Sequence, residues 1–580
     1  MSDSSQPISR RSFIAAAVAA AVAASCSSGS SAPEAAETTA AAPTSAPATT
    51  PTGTPTTAPT SAPAATPTAT ASPEPKPEPT VAALELQADP FMHGVASGDP
   101  LDDSVILWTR LDPSAGLPDG DVEVTWEVAV DPDMAEMVAS GAAMAVAALG
   151  HSVHVDATGL SADTIYHYRF SLGGYASTVG RTRTFAAVGT QPERFRFAFS
   201  SCQNWEQGYY AAYWDLVEQD NLDAFVFLGD YIYEYASGGY ADPRGRQTGQ
   251  DFECETVQQY RDRYALYRTD PLLQAAHAKV PWIITWDDHE VDNDYAGATS
   301  ENNDDSQVFL ARRAAAYQVW YEFTPVRLDP PRGPDYDIYR AYAHGDLIRF
   351  HVLDTRQYRT DQQTNEPFLE TLGQAVQERD DAKQFSDQHT MLGTDQFDWL
   401  VAGVRESDAV WDVLAQQVFM FGGNALPGGD PPVVVVDTWD GYAGERQRLL
   451  QAIGVGSTDG ADNLVVLTGD FHSAAVGVLR SDPFDAGLPV VGVEFMASSI
   501  SSSFFDGDAA VAGLVDLALS TNPQLRFFDT RRGYTLCDVT PEMWTATYRA
   551  VADQFDETAS VETISTWSVA AGTAEVEQIG

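Results

Sequence analysis

From residue 121 the chain alternates, Asp121-Val-Glu-Val-Thr-Trp-Glu-Val-Ala-Val130, so that Val122, Val124, Trp126 and Val128 share one face. A period of two predicts a strand lying half-buried on a core. Val153 and Val155 repeat the pattern over a shorter stretch. From about residue 190 the pattern changes to unbroken apolar runs that end abruptly in polar residues. Phe195-Arg-Phe-Ala-Phe-Ser200 runs into Ser201-Cys202-Gln203-Asn204, and Ala224-Phe-Val-Phe-Leu228 into Gly229-Asp230-Tyr231-Ile232-Tyr233. Pro281-Trp-Ile-Ile-Thr-Trp286 runs into Asp287-Asp288-His289-Glu290, Arg349-Phe-His-Val-Leu353 into Asp354-Thr355-Arg356, and Leu464-Val-Val-Leu467 into Thr468-Gly469-Asp470-Phe471-His472. Continuous apolar runs predict strands covered on both faces. Between them 309–321 and 394–406 read as helices, which gives an α/β fold with its chemistry at one edge of a sheet.

The ends of the pattern predict processing rather than folding. Ser9-Arg10-Arg11-Ser12-Phe13-Ile14 precedes a modest apolar run to residue 24, as in a signal peptide. Its paired arginines resemble the twin-arginine export signal, which implies the twin-arginine translocase as a partner during export. Ala23-Ala24-Ser25-Cys26 resembles a lipobox with Ala23 where leucine is usual. It implies a lipid anchor at Cys26 and membrane association; the alternative is cleavage near Ala24 and a free protein. Ala, Ser, Thr and Pro then dominate 27–80, which holds 12 of the 34 prolines, so an extended tether open to glycosylation is expected. The expected organisation is a signal over 1–26, the tether over 27–80, a β domain over 81–188 and a catalytic domain over 189–580. An extracellular, periplasmic or surface-anchored location follows from the signal.

Gly159-Leu-Ser-Ala-Asp-Thr-Ile-Tyr-His-Tyr-Arg-Phe170 looks like the corner and strand of fibronectin type III domains, so 81–188 is expected to be a small all-β sandwich. His93, His151 and His154 fall there and are assigned no chemistry. At 580 residues the chain exceeds one simple domain. With 33 basic and 82 acidic residues it carries a net charge of −49, which argues against a basic nucleic-acid binder. Only Lys76, Lys279 and Lys383 are lysines, a balance that suits solvation in high salt or a GC-rich genome equally. Hydrophobic content of 44% argues against a wholly disordered acidic chain. No apolar run of spanning length lies beyond the N-terminus, so no membrane-spanning body is expected. A monomer is expected.

Each polar strand end taken singly has a structural explanation: Cys202 as a small buried hydrophobe, Asp470 as a turn cap, Tyr233 as a core residue. Taken together they do not, because acids gathered at five strand ends repel one another unless a cation sits among them. Cys254 and Cys537, 283 residues apart, remain either a disulfide or two free thiols.

Gly229-Asp230-Tyr231-Ile232-Tyr233 matches the G-D-x-x-Y motif of purple acid phosphatase-like metallophosphatases. Trp286-Asp-Asp-His-Glu290 with Asn293, Leu353-Asp-Thr-Arg-Gln-Tyr358 and Leu467-Thr-Gly-Asp-Phe-His472 are more particular. With Phe91-Met-His-Gly-Val-Ala-Ser-Gly-Asp99 and Val105-Ile-Leu-Trp-Thr-Arg110, the chain resembles the PhoD family of alkaline phosphatases over about 85–550. The resemblance implies a metallophosphatase α/β/β/α sandwich behind the β domain, and phosphoester hydrolysis at a centre of ferric iron (Fe3+) and calcium (Ca2+). It implies Cys202 and Tyr233 as iron ligands, Asp230 as a bridging carboxylate, Asp470 as a further metal ligand and Asn293 as a calcium ligand. His472 is either a ligand or a residue behind the ligands. Asp288 and His289 stand where related enzymes carry Asn-His, which leaves open which of the two binds metal and which acts as acid.

Thiolate and phenolate donors suit a ferric ion, and the acids and amides suit calcium. The expected reaction is in-line attack on phosphorus by a metal-bound hydroxide, with Arg356 neutralising the equatorial oxygens and His289 donating a proton to the leaving group. The alternative for Arg356 is a salt bridge to Asp354. The activity expected is an exported phosphomonoesterase and phosphodiesterase that releases phosphate for uptake. A phospholipase D-like phosphodiesterase and a non-catalytic surface binding protein are the alternatives.

Overall fold

The computed structural model describes residues 84–362, 376–428, 430–503 and 508–580. The export signal over 1–26 with Cys26, the tether over 27–80 and the first residues of the β domain lie outside the described residues. Two large sheets carry the fold. One has ten strands in the spatial order Val576–Gln578, Val561–Ala570, Met543–Val551, Gly533–Val539, Phe195–Ser200, Ala224–Phe227, Trp282–Ile284, Val95–Gly98, Ser104–Arg110 and Ser152–Thr158. The other has seven: Arg340–His344, Ile348–Val352, Trp411–Ala415, Leu464–Thr468, Gly492–Met496, Ala474–Leu479 and Leu525–Asp529.

The apolar runs resolve into two faces because neighbouring side chains on a strand point oppositely. Phe197, Phe199, Val226 and Ile283 turn inward to meet Phe350, Val352, Val413, Val465 and Leu467 of the other sheet. Ala198, Phe225, Phe227, Trp282 and Ile284 turn outward against the helices Ala211–Glu218, Val257–Tyr267, Pro271–Lys279 and Ser306–Phe323. Leu414, Leu464 and Val466 likewise turn outward, toward the helices Gly393–Arg405 and Ala443–Ile453. The layers are therefore helix, sheet, sheet, helix. The expected helices at 309–321 and 394–406 occur as Ser306–Phe323 and Gly393–Arg405. Local chemistry sets the helix starts: Asp270 accepts from the amides of Leu272 and Leu273 ahead of Pro271, and Thr256 and Gln259 form a capping box.

The N-terminal segment divides its strands. Val122–Ala129, Met137–Ala145, Ile165–Leu172, Tyr175–Ala176 and Gly180–Arg183 form a separate five-stranded sheet. There Val122, Val124 and Val128 are buried as the alternation predicts, and the Tyr166 hydroxyl accepts from the Ser161 amide at the corner. Val95–Gly98, Ser104–Arg110 and Ser152–Thr158 instead extend the ten-stranded sheet, with Gly98 registered beside Trp282. The three histidines of this segment have structural surroundings. His93 Nε2 lies 2.9 Å from an Arg110 nitrogen, and His154 stacks on Tyr321. His151 lies in the turn before Ser152–Thr158 with a left-handed backbone. Cys254 and Cys537 are free, buried thiols on opposite faces of the ten-stranded sheet, which removes the disulfide alternative. Among the described residues no helix is long and apolar enough to cross a membrane.

Candidate active site

Phe195–Ser200, Ala224–Phe227 and Trp282–Ile284 run parallel, as do Ile348–Val352, Trp411–Ala415, Leu464–Thr468 and Gly492–Met496. Their C-terminal ends meet along one edge of the sandwich, the place where open parallel sheets bind ligands. Ser201 bridges to Ser499 and the Ser200 hydroxyl donates to the Ser498 carbonyl, which ties the two sheets together there. Gln417 strengthens the junction. Its amide nitrogen donates to the Thr285 hydroxyl and the Trp286 and Leu353 carbonyls, while its oxygen accepts from Thr355.

The turns leaving the strands carry the chemistry. Cys202, Asp230, Asp470 and His472 all have φ between 49° and 57°, a left-handed conformation that non-glycine residues rarely adopt. Each such residue costs about 1–2 kcal/mol, strain that concentrates at functional sites. The Tyr233 hydroxyl donates to Asp230 Oδ2 at 2.9 Å, lies 3.0 Å from His472 Nε2 and accepts from Ser502 Oγ at 2.8 Å. Cys202, Asp230 and His472 each offer a ligand atom within 4.8 Å of the others. A second such group is Asp230, Asp288 and His289, and a third is Asp287, Asp288 and Asp470. Asp230 and Asp288 each occur in two groups, so the three clusters are continuous.

This concentration of buried acid is offset chiefly by Arg356. Its guanidinium meets Asp287, Asp437 at 2.8 Å and Asp470 at 3.0 Å, with Asp288 at 3.5 Å. Asp354 instead accepts from the backbone amides of Arg356 and Gln357, so the Asp354 salt bridge is not formed. Burial works against the Arg356 charge, but Asp287, Asp288, Asp437 and Asp470 outweigh it and raise its pKa. Burial, and then the charges of Asp288, Asp470 and Asp230, push Asp287 well above the usual carboxylate range despite Arg356. Burial and the charge of Asp230 likewise push the Cys202 thiol up. A cation would reverse both shifts by favouring the ionised forms.

The donor set fits a metal centre. Asp287 Oδ2 and Asn293 Oδ1 are buried oxygens with no hydrogen-bond partner, which is costly unless a cation takes them. The Cys202 thiol, the Tyr233 phenol and the His472 imidazole beside shared carboxylates are donor types that could hold a metal ion.

His289 is fully buried, with Nδ1 2.7 Å from Glu234 Oε2. Glu234 Oε1 accepts from the Asn293 amide at 3.0 Å, so one carboxylate fixes both neighbours. Burial raises Glu234 to about 8, against the opposing charge of Arg312. Glu290 accepts from the backbone amides of Asp230, Tyr231 and Asp287 and so holds two of the chemical turns in one position.

Eight of the nine residues singled out from sequence, Cys202, Asp230, Tyr233, Asp288, His289, Arg356, Asp470 and His472, share this edge. Asn293 joins them through Glu234. Sequence reasoning did not assign Glu234, Asp287 or Asp437. The first two directly follow or precede chosen residues in the quoted runs, which was a usable signal. Asp437 lies in a loop 81 residues from Arg356 and carried none.

Comparison with known proteins agrees with this geometry. A family model described as PhoD-like phosphatase matches residues 197–548, and one described as PhoD-like phosphatase, N-terminal domain, matches residues 76–186. The chain is 42% identical over 497 residues to alkaline phosphatase D of Bacillus subtilis (strain 168), covering 83% of this chain and 81% of that protein. It is also similar to the solved structure described as Structure of PhoD, with a TM-score of 0.79 and 39% identity over 86% of this chain and 94% of the other.

Proposed function

Because the chain belongs to the PhoD-like phosphatase family and is a phosphoric ester hydrolase, we propose that it is an exported enzyme acting on both phosphate monoesters and diesters. The released phosphate would serve uptake, and export would follow the twin-arginine route. The observation that carries the chemistry is Tyr233 Oη set between Asp230 and His472, with the Cys202 thiol within ligand distance of both. Cys202, Tyr233, His472 and Asp230 would hold a ferric ion. Asp230, Asp288, Asn293 and Asp470 would hold calcium, with Asp287 as an additional oxygen donor. When bound, the two cations supply an acidified water and positive charge against the phosphate oxygens.

The chain supplies the rest. Arg356 adds positive charge near phosphorus while its nitrogens keep Asp287, Asp437 and Asp470 in place. His289 donates the proton that the leaving oxygen needs. A phospholipid-cleaving reading is favoured by one specific feature. An apolar cavity lined by Phe419, Phe421, Val435, Phe471, Leu525 and Phe528 shares Phe471 with the Asp470–Phe471–His472 turn. Such a cavity would accept an apolar leaving group.

The test compares hydrolysis of bis-p-nitrophenyl phosphate and p-nitrophenyl phosphate at alkaline pH with calcium. Substantial rates on both, each lowered by about 100-fold or more in Cys202→Ala with loss of bound iron, are the expected outcome. Hydrolysis of the monoester alone would remove the diesterase and phospholipid readings. An inactive protein that nonetheless holds iron and calcium would remove the catalytic assignment of this centre.

A further inference from the structure

Ser502 is fully buried in the loop that follows the strand Gly492–Met496, and its amide, carbonyl and hydroxyl are all engaged. The amide donates to the Cys202 carbonyl at 3.3 Å. The carbonyl accepts from the Arg532 guanidinium and from the Ser499 hydroxyl. The hydroxyl oxygen accepts from the Asn204 amide at 3.0 Å and donates to Tyr233 Oη at 2.8 Å. One residue from the seven-stranded side thus grips two turns of the ten-stranded side, those carrying Cys202 and Tyr233. A serine hydroxyl has a single proton to give. The Asn204 amide can only donate, so the serine proton points at Tyr233. That oxygen also donates to Asp230 Oδ2 at 2.9 Å and lies 3.0 Å from His472 Nε2. The bond to Asp230 spends the tyrosine's own proton, which a bound cation displaces. The bond from Ser502 spends the serine's, so it persists and becomes charge-assisted.

We propose that Ser502 is a positioning residue of the metal centre: its hydroxyl fixes the Tyr233 oxygen where a metal takes it and draws electron density from that oxygen. Its amide meanwhile holds the Cys202 turn, whose left-handed backbone at φ 57° needs an external partner to persist. The proposal rests on the reading of Cys202 and Tyr233 as ligands of a ferric ion. Residues that orient ligands in this way govern how tightly a metal is held and how its electrons are distributed. Ser502 acts through the two ligands and takes no part in bond making or breaking.

A ferric ion bound to a phenolate absorbs visible light by moving charge from the phenolate to the iron. A hydrogen bond into the phenolate oxygen stabilises its electrons and raises the energy of that transition. The experiment records the visible spectrum and the iron affinity of wild type, Ser502→Ala and Ser501→Ala, each loaded with iron and calcium. Ser501 is the control, because its hydroxyl donates to the Asn204 carbonyl at 2.8 Å in the same loop and reaches neither Cys202 nor Tyr233. The expected result is that Ser502→Ala moves the band to longer wavelength and lowers iron affinity by about 10-fold or more. Ser501→Ala leaves the band where it is in wild type.

An unmoved band in Ser502→Ala would overturn the proposal even if iron affinity fell, because a loosened loop can weaken iron without changing the phenolate. An equal shift in Ser501→Ala would overturn it as well, since the band would then report the loop and not the hydroxyl. A wild type that binds iron and shows no phenolate band would overturn the Tyr233 ligand reading and the proposal with it, so the two failures are told apart. If Ser502→Ala does not fold or keeps no iron, wild type loaded in H2O and in D2O decides. Resonance Raman spectra should then show the phenolate C–O stretch displaced by the deuteron on Ser502, and an identical stretch in both solvents would overturn the hydrogen bond.

Discussion

His93 shows what burial does to a single side chain that sequence could place but not interpret. Its Nε2 accepts from Arg110, so the ring must be neutral, and burial together with Arg110 and Arg268 lowers its pKa to about 3. The unfolded chain binds this proton near the ordinary value of 6.5, so the stabilisation is complete above that pH. It is lost progressively as pH falls from about 6.5 toward about 3, because the unfolded state binds the proton first. His93→Gln, which keeps an acceptor for Arg110 and cannot titrate, should flatten the fall in unfolding free energy between pH 6.5 and 5 by up to about 2 kcal/mol. Denaturant titrations of both proteins across that range would show it. An unchanged slope would mean that His93 is protonated in the fold.

At the scale of elements, the site depends on how closely strand ends approach. Gly229 ends the run Ala224–Phe227 and Leu228 with φ 100°, and a Cβ there would lie 2.4 Å from the Asp287 amide nitrogen. Neither the backbone conformation nor the space tolerates a side chain. Gly229→Ala should therefore cost about 2–4 kcal/mol, from overpacking and from the left-handed conformation, and push apart the turns bearing Asp230 and Asp288. Thermal unfolding and metal content would report the two effects separately. A protein of wild-type stability would show that the turns have room to move. The same closeness explains why Glu290 can serve amides of both turns at once.

Across the whole molecule, each half of the centre stands on a different sheet. Cys202, Asp230, Asp288 and His289 follow strands of the ten-stranded sheet; Arg356, Asp470 and His472 follow strands of the seven-stranded sheet. What holds the halves in register is the apolar layer between the sheets, where Trp544 packs against Phe197, Trp411 and Phe495. Trp544→Ala should lower stability by about 3–5 kcal/mol through the cavity it leaves. Activity and bound metal should then disappear together at a lower temperature than in wild type, as seen by following both through a thermal ramp. Loss of activity well before unfolding of the bulk would instead show that the site loosens independently of this layer.

The chain's local pattern was enough to determine the strands, the abrupt polar ends and most of the chemical residues at them. Apolar periodicity and turn chemistry act over a few positions, and motifs such as Gly229-Asp230-Tyr231-Ile232-Tyr233 preserve that local information in order. Only the tertiary structure decided the pairings. Arg356 reaches Asp287, Asp437 and Asp470 across 69, 81 and 114 positions, rather than Asp354 two positions away. Glu234 meets His289 across 55. Cys254 and Cys537 remain separate because opposite faces of one sheet receive them. The physical reason is the same in each case: partners distant in sequence are selected by sheet order and by which face each side chain takes, and both are settled by packing of the whole chain.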